Sequence, residues 1–234
     1  MSIKSLEDIT NIFYINLEHR EDRRLHVETQ LLNAGFTGFQ RFNAIKMDNG
    51  AIGCSMSHLK LLQNALEQDL DHILIVEDDI TFTNVELFKT QLNQMLKSGL
   101  KWDVILLAGN NMPPYQTIPG NFCVKVSKCQ TTTGYLVAKH YIKILINNIK
   151  MGLTHLLSKP QQHAIFAIDK FWFVLQQNGN WYLITPLTVI QKEDYSDIEK
   201  KVTKYGNLML DLDKKELFDA IRLHKIGQLT NKNK

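Results

Sequence analysis

An α/β fold with a mainly parallel central sheet flanked by helices is predicted by three observations. Short apolar runs alternate with longer stretches of helical periodicity through the first half of the 234-residue chain. Several runs, such as ILIV at 73–76, are apolar without alternation, the pattern of a strand buried on both faces. Polar residues then follow at once, as at the carboxyl ends of strands in open α/β sheets, where ligands bind.

The elements follow in order. Residues 9–17 (ITNIFYINL) read as a buried strand. EDRRLHVETQLLNAGF reads as a helix with Leu25, Leu31 and Leu32 at helical spacing and Gly35 where a C-cap belongs. Residues 39–45 form a short strand, and SMSHLKLLQNALEQ a second helix with Leu59, Leu62 and Leu66 on one stripe. HILIVEDD (72–79) is a strand ending in acid, 84–98 a helix, and WDVILLAG (102–109) a further strand. The stretch NNMPPYQTIPGN holds three of the five prolines and reads as a loop. FCVKVSK and TTTGYLVAK read as strands that could pair with each other. HYIKILINNIKMGL and 164–177 read as helices, and WYLIT before Pro186 as a strand. The expected organisation is one domain over 1–198, then a Lys-rich extension over 199–234 in which LFDAIRLHKI is a short helix and the end is disordered.

Composition narrows the class. Hydrophobic residues make up 44% and charged residues 22%, enough to bury a core without disulfides or a structural metal. A net charge of +3, spread along the chain, argues against nucleic acid as a partner. Three cysteines (Cys54, Cys123, Cys129) with no CxxC spacing argue against a zinc site or disulfide framework and for a reducing compartment. The N-terminal stretch lacks an uninterrupted apolar signal core, and no run reaches about 18 apolar residues. A cytoplasmic location without a membrane span is expected, with peripheral membrane association left open.

Glu77, Asp78 and Asp79 follow the apolar run directly. Three like charges do not stay in a core, so they are expected to face a polar crevice. If the strand geometry persists, Glu77 and Asp79 share one side and Asp78 the other. Two hard carboxylates on one side suit Mg2+ or Mn2+ already carrying a diphosphate. The plainer alternative is a solvated acidic turn. Two other chemistries are disfavoured. A phosphotransfer receiver needs an aspartate where this chain has Ala108 and Gly109. An aspartate-nucleophile phosphatase needs Asp where Glu77 stands.

Three stretches together resemble glycosyltransferase family 25, the lipooligosaccharide-biosynthesis and procollagen galactosyltransferase family. They are FYINLEHREDRR (13–24), GAIGCSMSHLKLLQNALEQDLDHILIVEDDI (50–80), and TTTGYLVAK with PLTVIQKEDYSDI (186–198). The resemblance implies a GT-A-type nucleotide-diphosphosugar transferase fold. It also implies a UDP-sugar donor, inversion at the anomeric carbon, and a glycan, lipooligosaccharide or protein acceptor. On this reading Asp79, with Glu77 in support, holds the metal. Asn16 contacts uracil or ribose, and Arg23 or Arg20 grips the diphosphate from an exposed first helical turn. Ser57, His58 and Asp78 complete the donor side. Ser57 and His58 are expected to open the second helix, with Ser55 as N-cap.

An inverting transferase needs a general base. Asp169 is the first candidate, because its apolar and aromatic surroundings raise a carboxylate's pKa. Asp197, Glu193 and Asp194 are the others. Trp172, with Phe171 and Phe173, offers a stacking surface for a sugar. Gln191, Ser196 and Asp197 match the family's later motif on the acceptor side. A catalytically silent nucleotide-sugar-binding protein of the same fold is the alternative.

Overall fold

The computed structural model describes residues 3–196, 201–215 and 217–219. In chain order the first half holds β1 (Ile12–Asn16), α1 (Glu21–Asn33), β2 (Gln40–Asn43), α2 (Gly50–Glu67), β3 (His72–Glu77), β4 (Ile80–Phe82), α3 (Val85–Lys97) and β5 (Val104–Leu106). The middle holds β6 (Asn110–Asn111), β7 (Gln116–Thr117), β8 (Cys123–Lys125), β9 (Cys129–Gln130), β10 (Gly134–Ala138) and α4 (Lys139–Ser158). Then come α5 (His163–Phe166), α6 (Ile168–Phe171), α7 (Phe173–Asn178), β11 (Trp181–Ile184), β12 (Val189–Gln191), β13 (Asp194–Ser196), β14 (Lys201–Thr203) and α8 (Gly206–Leu210).

The central sheet has eight strands in the order β2-β1-β3-β10-β5-β11-β8-β7. Six run in one direction, while β10 and β8 are antiparallel to both of their neighbours. The α/β architecture is therefore the expected one, with two reversed strands inside it. FCVKVSK and TTTGYLVAK do not pair: β10 lies between β3 and β5, and β8 lies between β11 and β7.

Alternation along β3 explains the two layers. Leu74 and Val76 pack with Val27 and Leu31 of α1 and with Phe88 and Leu92 of α3. Ile73 and Ile75 pack on the other face with Leu61 and Leu62 of α2 and with Leu145 and Ile146 of α4. Residues 73–76 are all apolar because both faces are covered. Gly35, at φ 84, follows α1 in the left-handed conformation expected of a C-cap. The buried stripe of α1 is Arg23, Val27 and Leu31, however; Leu25 and Leu32 face outward, as does Leu66 of α2.

Two helix assignments change. Helix α2 begins at Gly50, where Asn49 accepts from the backbone N–H groups of Ala51 and Ile52 at 3.0 and 3.3 Å. Ser57 and His58 therefore lie about two turns inside the helix, and Ser55 bonds back to the Ala51 carbonyl instead of capping. Residues 164–177 form no single helix, because Ala167 is extended at ψ 148 and the chain restarts after it. The segment LFDAIRLHKI falls mostly outside the described residues. Ahead of it, α8 packs on β12, and Met209 reaches the core.

Gly53 sets how closely α2 approaches the segment after β2. A Cβ there would meet the Ile45 carbonyl oxygen at 2.5 Å. Backbone must move to admit it, a strain of overpacking type. Gly53→Ala is expected to lower unfolding free energy by about 1–3 kcal/mol, read by urea denaturation. Wild-type stability in this variant would mean that the segment yields freely.

Candidate active site at the strand ends

A cleft of about 930 Å³ opens at the carboxyl ends of β1 and β3. Asn16, Arg23, Ser57, His58, Glu77, Asp78, Asp79, Asp169 and Gln191 all line it. These are most of the residues the sequence nominates, drawn from positions up to 175 residues apart in the chain. The remainder divide. Arg20 is turned to Asp22 and Asp194 and does not line the cleft. Trp172 is fully buried and donates its indole N–H to the Cys129 carbonyl at 3.1 Å. It packs edge-on against Trp181 and Tyr135, so it is core and offers no surface to a sugar. Ser196 ends β13, with nothing described of its side chain, and Asp197 lies outside the described residues.

The acidic cluster is built by continuation and then interruption of the strand. Glu77 follows the alternation and points to the α2 side. Its Oε1 accepts from Thr132 Oγ1 at 2.8 Å and lies 3.5 Å from His58 Nε2; its Oε2 faces Gln191 Nε2 at 3.5 Å. Burial works against this carboxylate, but His58, Thr132 and Arg23 outweigh it and hold its pKa below the usual range. Asp78 points to the α1 side, accepting from Arg23 at 3.0 Å and from Asn16 Nδ2 at 2.8 Å. The chain turns at 78–79, so the extended geometry does not persist. Asp79 reaches back toward Arg23 at 3.6 Å. Arg23 thus faces Asp79 as well as Asp78, and Glu77 lies near enough for its charge to act on Asp79. Burial, then the charge of Glu77, push Asp79 well above the usual carboxylate range; burial also raises Asp78.

Arg23 is the main correction. It is 9% exposed rather than free on a helix surface, and it faces Asp78, Asp79 and Asp194. Asn16 is likewise committed inside the protein. Its amide nitrogen donates to Asp78 and to the Arg20 carbonyl, and its oxygen accepts from Arg41 Nε at 2.9 Å. Ser57 is structural in the same sense: Oγ donates to the Gly53 carbonyl and accepts from the Ile45 N–H, both at 2.8 Å. His58 bonds Tyr135 through Nδ1 at 2.8 Å.

Asp169 stands in α6 on the cleft wall. Its Oδ2 accepts from the Thr131 N–H at 3.3 Å, and Lys170 lies 3.9 Å away. Burial raises its pKa, against the opposing charge of Lys170. Thr131 has φ +76, a left-handed conformation that a β-branched residue adopts only when its surroundings hold it there. Thr131 and Thr132 are what the sequence reading missed: the first positions Asp169, the second positions Glu77. The only signal was the run TTTG immediately ahead of a strand. Cys54 also lines the cleft, with Sγ 3.7 Å from Glu77 Oε1.

An ion is implied by the acids, and the donors fit one of the hard class. Among the described residues no hydrogen-bond partner reaches the buried Asp79 Oδ1. A buried carboxylate oxygen without a donor is what a divalent cation satisfies.

A sequence profile of glycosyltransferase family 25 (LPS biosynthesis protein) matches residues 46–172, more than half of the chain. This protein belongs to glycosyltransferase family 25. The matched region carries α2, the acidic cluster, Thr131–Thr132 and Asp169. Among curated relatives, procollagen galactosyltransferase 1-B of Xenopus laevis is 27% identical over 60% of this chain and 28% of its own length. A probable inactive family 25 member 3 from Rattus norvegicus is 22% identical over 53% of this chain and 21% of its own. The family 25 chain described here thus spans about a quarter of the length of these relatives. A solved glycosyltransferase involved in glycosylating the major capsid of PBCV-1 is 12% identical, covering 86% of this chain and 88% of that one, with a TM-score of 0.42.

Two outcomes follow from the charges. Arg23→Ala leaves Asp78 and Asp79 without their shared cation, and removing one partner of a buried pair costs about 3–5 kcal/mol. Denaturant titration should show that loss, while Arg24→Ala, whose side chain is 48% exposed, stays within about 0.5 kcal/mol. Equal effects would mean that Arg23 is not the compensating charge.

Asp79→Asn acts in the opposite direction. The folded-state pKa of Asp79 lies above its unfolded value, so ionising it costs stability as pH rises through the folded pKa. The Asn variant without divalent ions should therefore melt higher than wild type at neutral pH. The difference should vanish below about pH 3.9, where Asp is protonated in the unfolded chain as well. Melting curves across pH test this; an Asn variant that melts lower at neutral pH refutes it.

Proposed function

We propose that this family 25 protein is an inverting glycosyltransferase that moves a hexose, galactose or glucose, from a UDP-sugar to a hydroxyl of a glycan, lipooligosaccharide or protein acceptor. The observation that carries the reading is the arrangement of the cleft. Three acids faced by Arg23 stand on one wall and the raised-pKa Asp169 on another, and all four acids fall inside the residues that match the family. A GT-A-type scaffold and a cytoplasmic setting belong to the same proposal. Among the described residues no helix is long and apolar enough to cross a membrane.

The division of work follows from geometry. Asp79, with Glu77 in support, would hold a Mn2+ or Mg2+, which supplies positive charge against the diphosphate as the glycosidic bond breaks. Arg23 holds Asp78 and Asp79 in place against their mutual repulsion. Asn16 fixes Asp78 and Arg41 at the end of β1, beside the space for the nucleoside. Asp169 takes the proton from the acceptor hydroxyl as the new bond forms. Its raised pKa brings its basicity closer to what the acceptor hydroxyl needs. Thr131 holds that carboxylate on the cleft wall through its N–H. Gln191, reaching Glu77 from β12, closes the acceptor side.

The second reading, a protein that binds nucleotide sugar without turning it over, is favoured by one observation: relatives named inactive belong to the same family. Calorimetry with UDP, with and without Mn2+, followed by UDP release across a panel of UDP-sugars, separates the two. Binding without release selects the silent protein. Metal-independent binding, or none, removes the metal from the proposal or the proposal itself.

Asp169→Asn keeps size and removes basicity. Turnover should fall at least about a hundredfold, with UDP affinity in the presence of Mn2+ nearly unchanged. The control is Asp197→Asn in the same assay. If Asp197→Asn abolishes turnover and Asp169→Asn spares it, the base is Asp197.

A further inference from the structure

The floor of the cleft carries a donor set that shares Glu77 with the acidic cluster and adds sulfur and nitrogen to it. Cys54 and His58 stand four residues apart on α2, which puts them on one face of the helix. Glu77, at the end of β3, points to that face. One ligand atom from each, Cys54 Sγ, an imidazole nitrogen of His58 and a Glu77 oxygen, all lie within 4.8 Å of one another. We propose that they form a second cation site, for a borderline-soft transition ion of the Zn2+ class, with a fourth position open to the cleft.

The spacing of these atoms is compatible with a shared ion. A tetrahedral Zn2+ with ordinary bonds to N, O and S sets its ligand atoms about 3.4–3.6 Å apart. His58 Nε2 and Cys54 Sγ lie 3.5 and 3.7 Å from Glu77 Oε1. An N–H···O hydrogen bond draws its atoms to about 2.7–3.2 Å, closer than His58 and Glu77 come. The His58–Glu77 edge matches a coordination polyhedron better than a hydrogen bond, and the Cys54–Glu77 contact, a thiol hydrogen bond without an ion, has the length of a coordination edge with one.

The surroundings also suit ligation. A metal-binding imidazole has its other nitrogen fixed by a partner that sets the ring's orientation. His58 Nδ1 meets the Tyr135 hydroxyl at 2.8 Å, and Tyr135 is itself fully buried against Trp172. The carboxylate is oriented too, by Thr132 on Oε1 and Gln191 on Oε2. Thiolate and imidazole favour Zn2+ over Mg2+ or Mn2+, whereas Asp79 offers oxygen alone. All three ligands line the cleft, and three protein ligands with one open position is the arrangement of zinc sites that handle a substrate or water. No cysteine spacing announces such a site, because one ligand comes from a strand and the other two from a single helical turn.

The test uses the full chain stripped with a chelator and titrated with Co2+ as a spectroscopic stand-in for Zn2+. Wild type should show a thiolate-to-Co2+ charge-transfer band saturating at one ion per chain and erased by Zn2+. Cys54→Ser should lose the band, and both Cys54→Ser and His58→Gln should weaken Zn2+ binding more than about tenfold. Tyr135→Phe should cost about 10–100-fold, the usual effect of losing an orienting partner. Asp79→Asn should change Zn2+ affinity less than about twofold. Circular dichroism checks that each variant folds; if Cys54→Ser does not, Cys54→Ala replaces it, and His58→Gln reports independently. Absence of the band in wild type overturns the proposal, as does a band that survives Cys54→Ser. Zn2+ binding weakened in Asp79→Asn but unchanged in Cys54→Ser places the ion at the acidic cluster instead and overturns the proposal. Because glycosyl transfer is read by UDP release and Mn2+ binding, failure there with an intact Co2+ band sinks the functional reading and leaves this site standing.

Discussion

Strand β3 is apolar through Val76 and then delivers three carboxylates in succession into a half-buried cleft, and the protein answers that charge with the guanidinium of Arg23. One cation facing Asp78 and Asp79 does not neutralise the cluster. Burial and the charge of Glu77 still hold Asp79 well above its ordinary pKa. The residual field is the condition on which the rest is arranged. Asn16 donates to Asp78, Thr132 donates to Glu77, and α1 carries an arginine at a core position where a leucine would normally pack. Such a site is stabilised by a positive ligand and strained without one, as expected of a place built for binding rather than folding.

Much of the fold was legible because its signal is periodic and local. The run ILIV gave a strand covered on both faces, and Gly35 gave the end of α1. Placement of the acids at a strand end followed from the cost of burying charge. The parts that were not legible depend on partners remote in sequence. Arg23 looks like any arginine in a solvated first turn. Only the packing of α1 on the sheet brings it against residues 55 positions later in the chain. Trp172 sits beside Asp169 in sequence, yet one side chain fills the core and the other faces the cleft, because the chain breaks into short helical turns there.

The start of α2 illustrates a different limit. Ser55 precedes an amphipathic run and satisfies the pattern of an N-cap, but Asn49 does so as well, and five further residues of small or apolar type extend the helix to it. Local capping preference cannot choose between two such positions. The choice is made by Gly53, which lets the helix press against the Ile45 carbonyl. That contact moves Ser57 and His58 from the helix end to the cleft floor, and it changes what they can do. Ser57 ties the segment after β2, and His58 faces Glu77.

The reversed direction of β10 has a mechanical consequence. Because it runs against its neighbours, the residues leading into it emerge among their carboxyl ends, and two adjacent threonines there take hold of opposite walls. Thr131 grips Asp169 through its N–H, and Thr132 grips Glu77 through its hydroxyl. A single peptide link thus acts as a gauge block between the two acids. Lengthening or shortening the chain at this point by one residue would reset the span between the walls, and with it the size of molecule that fits between them, while every strand of the sheet stayed in register.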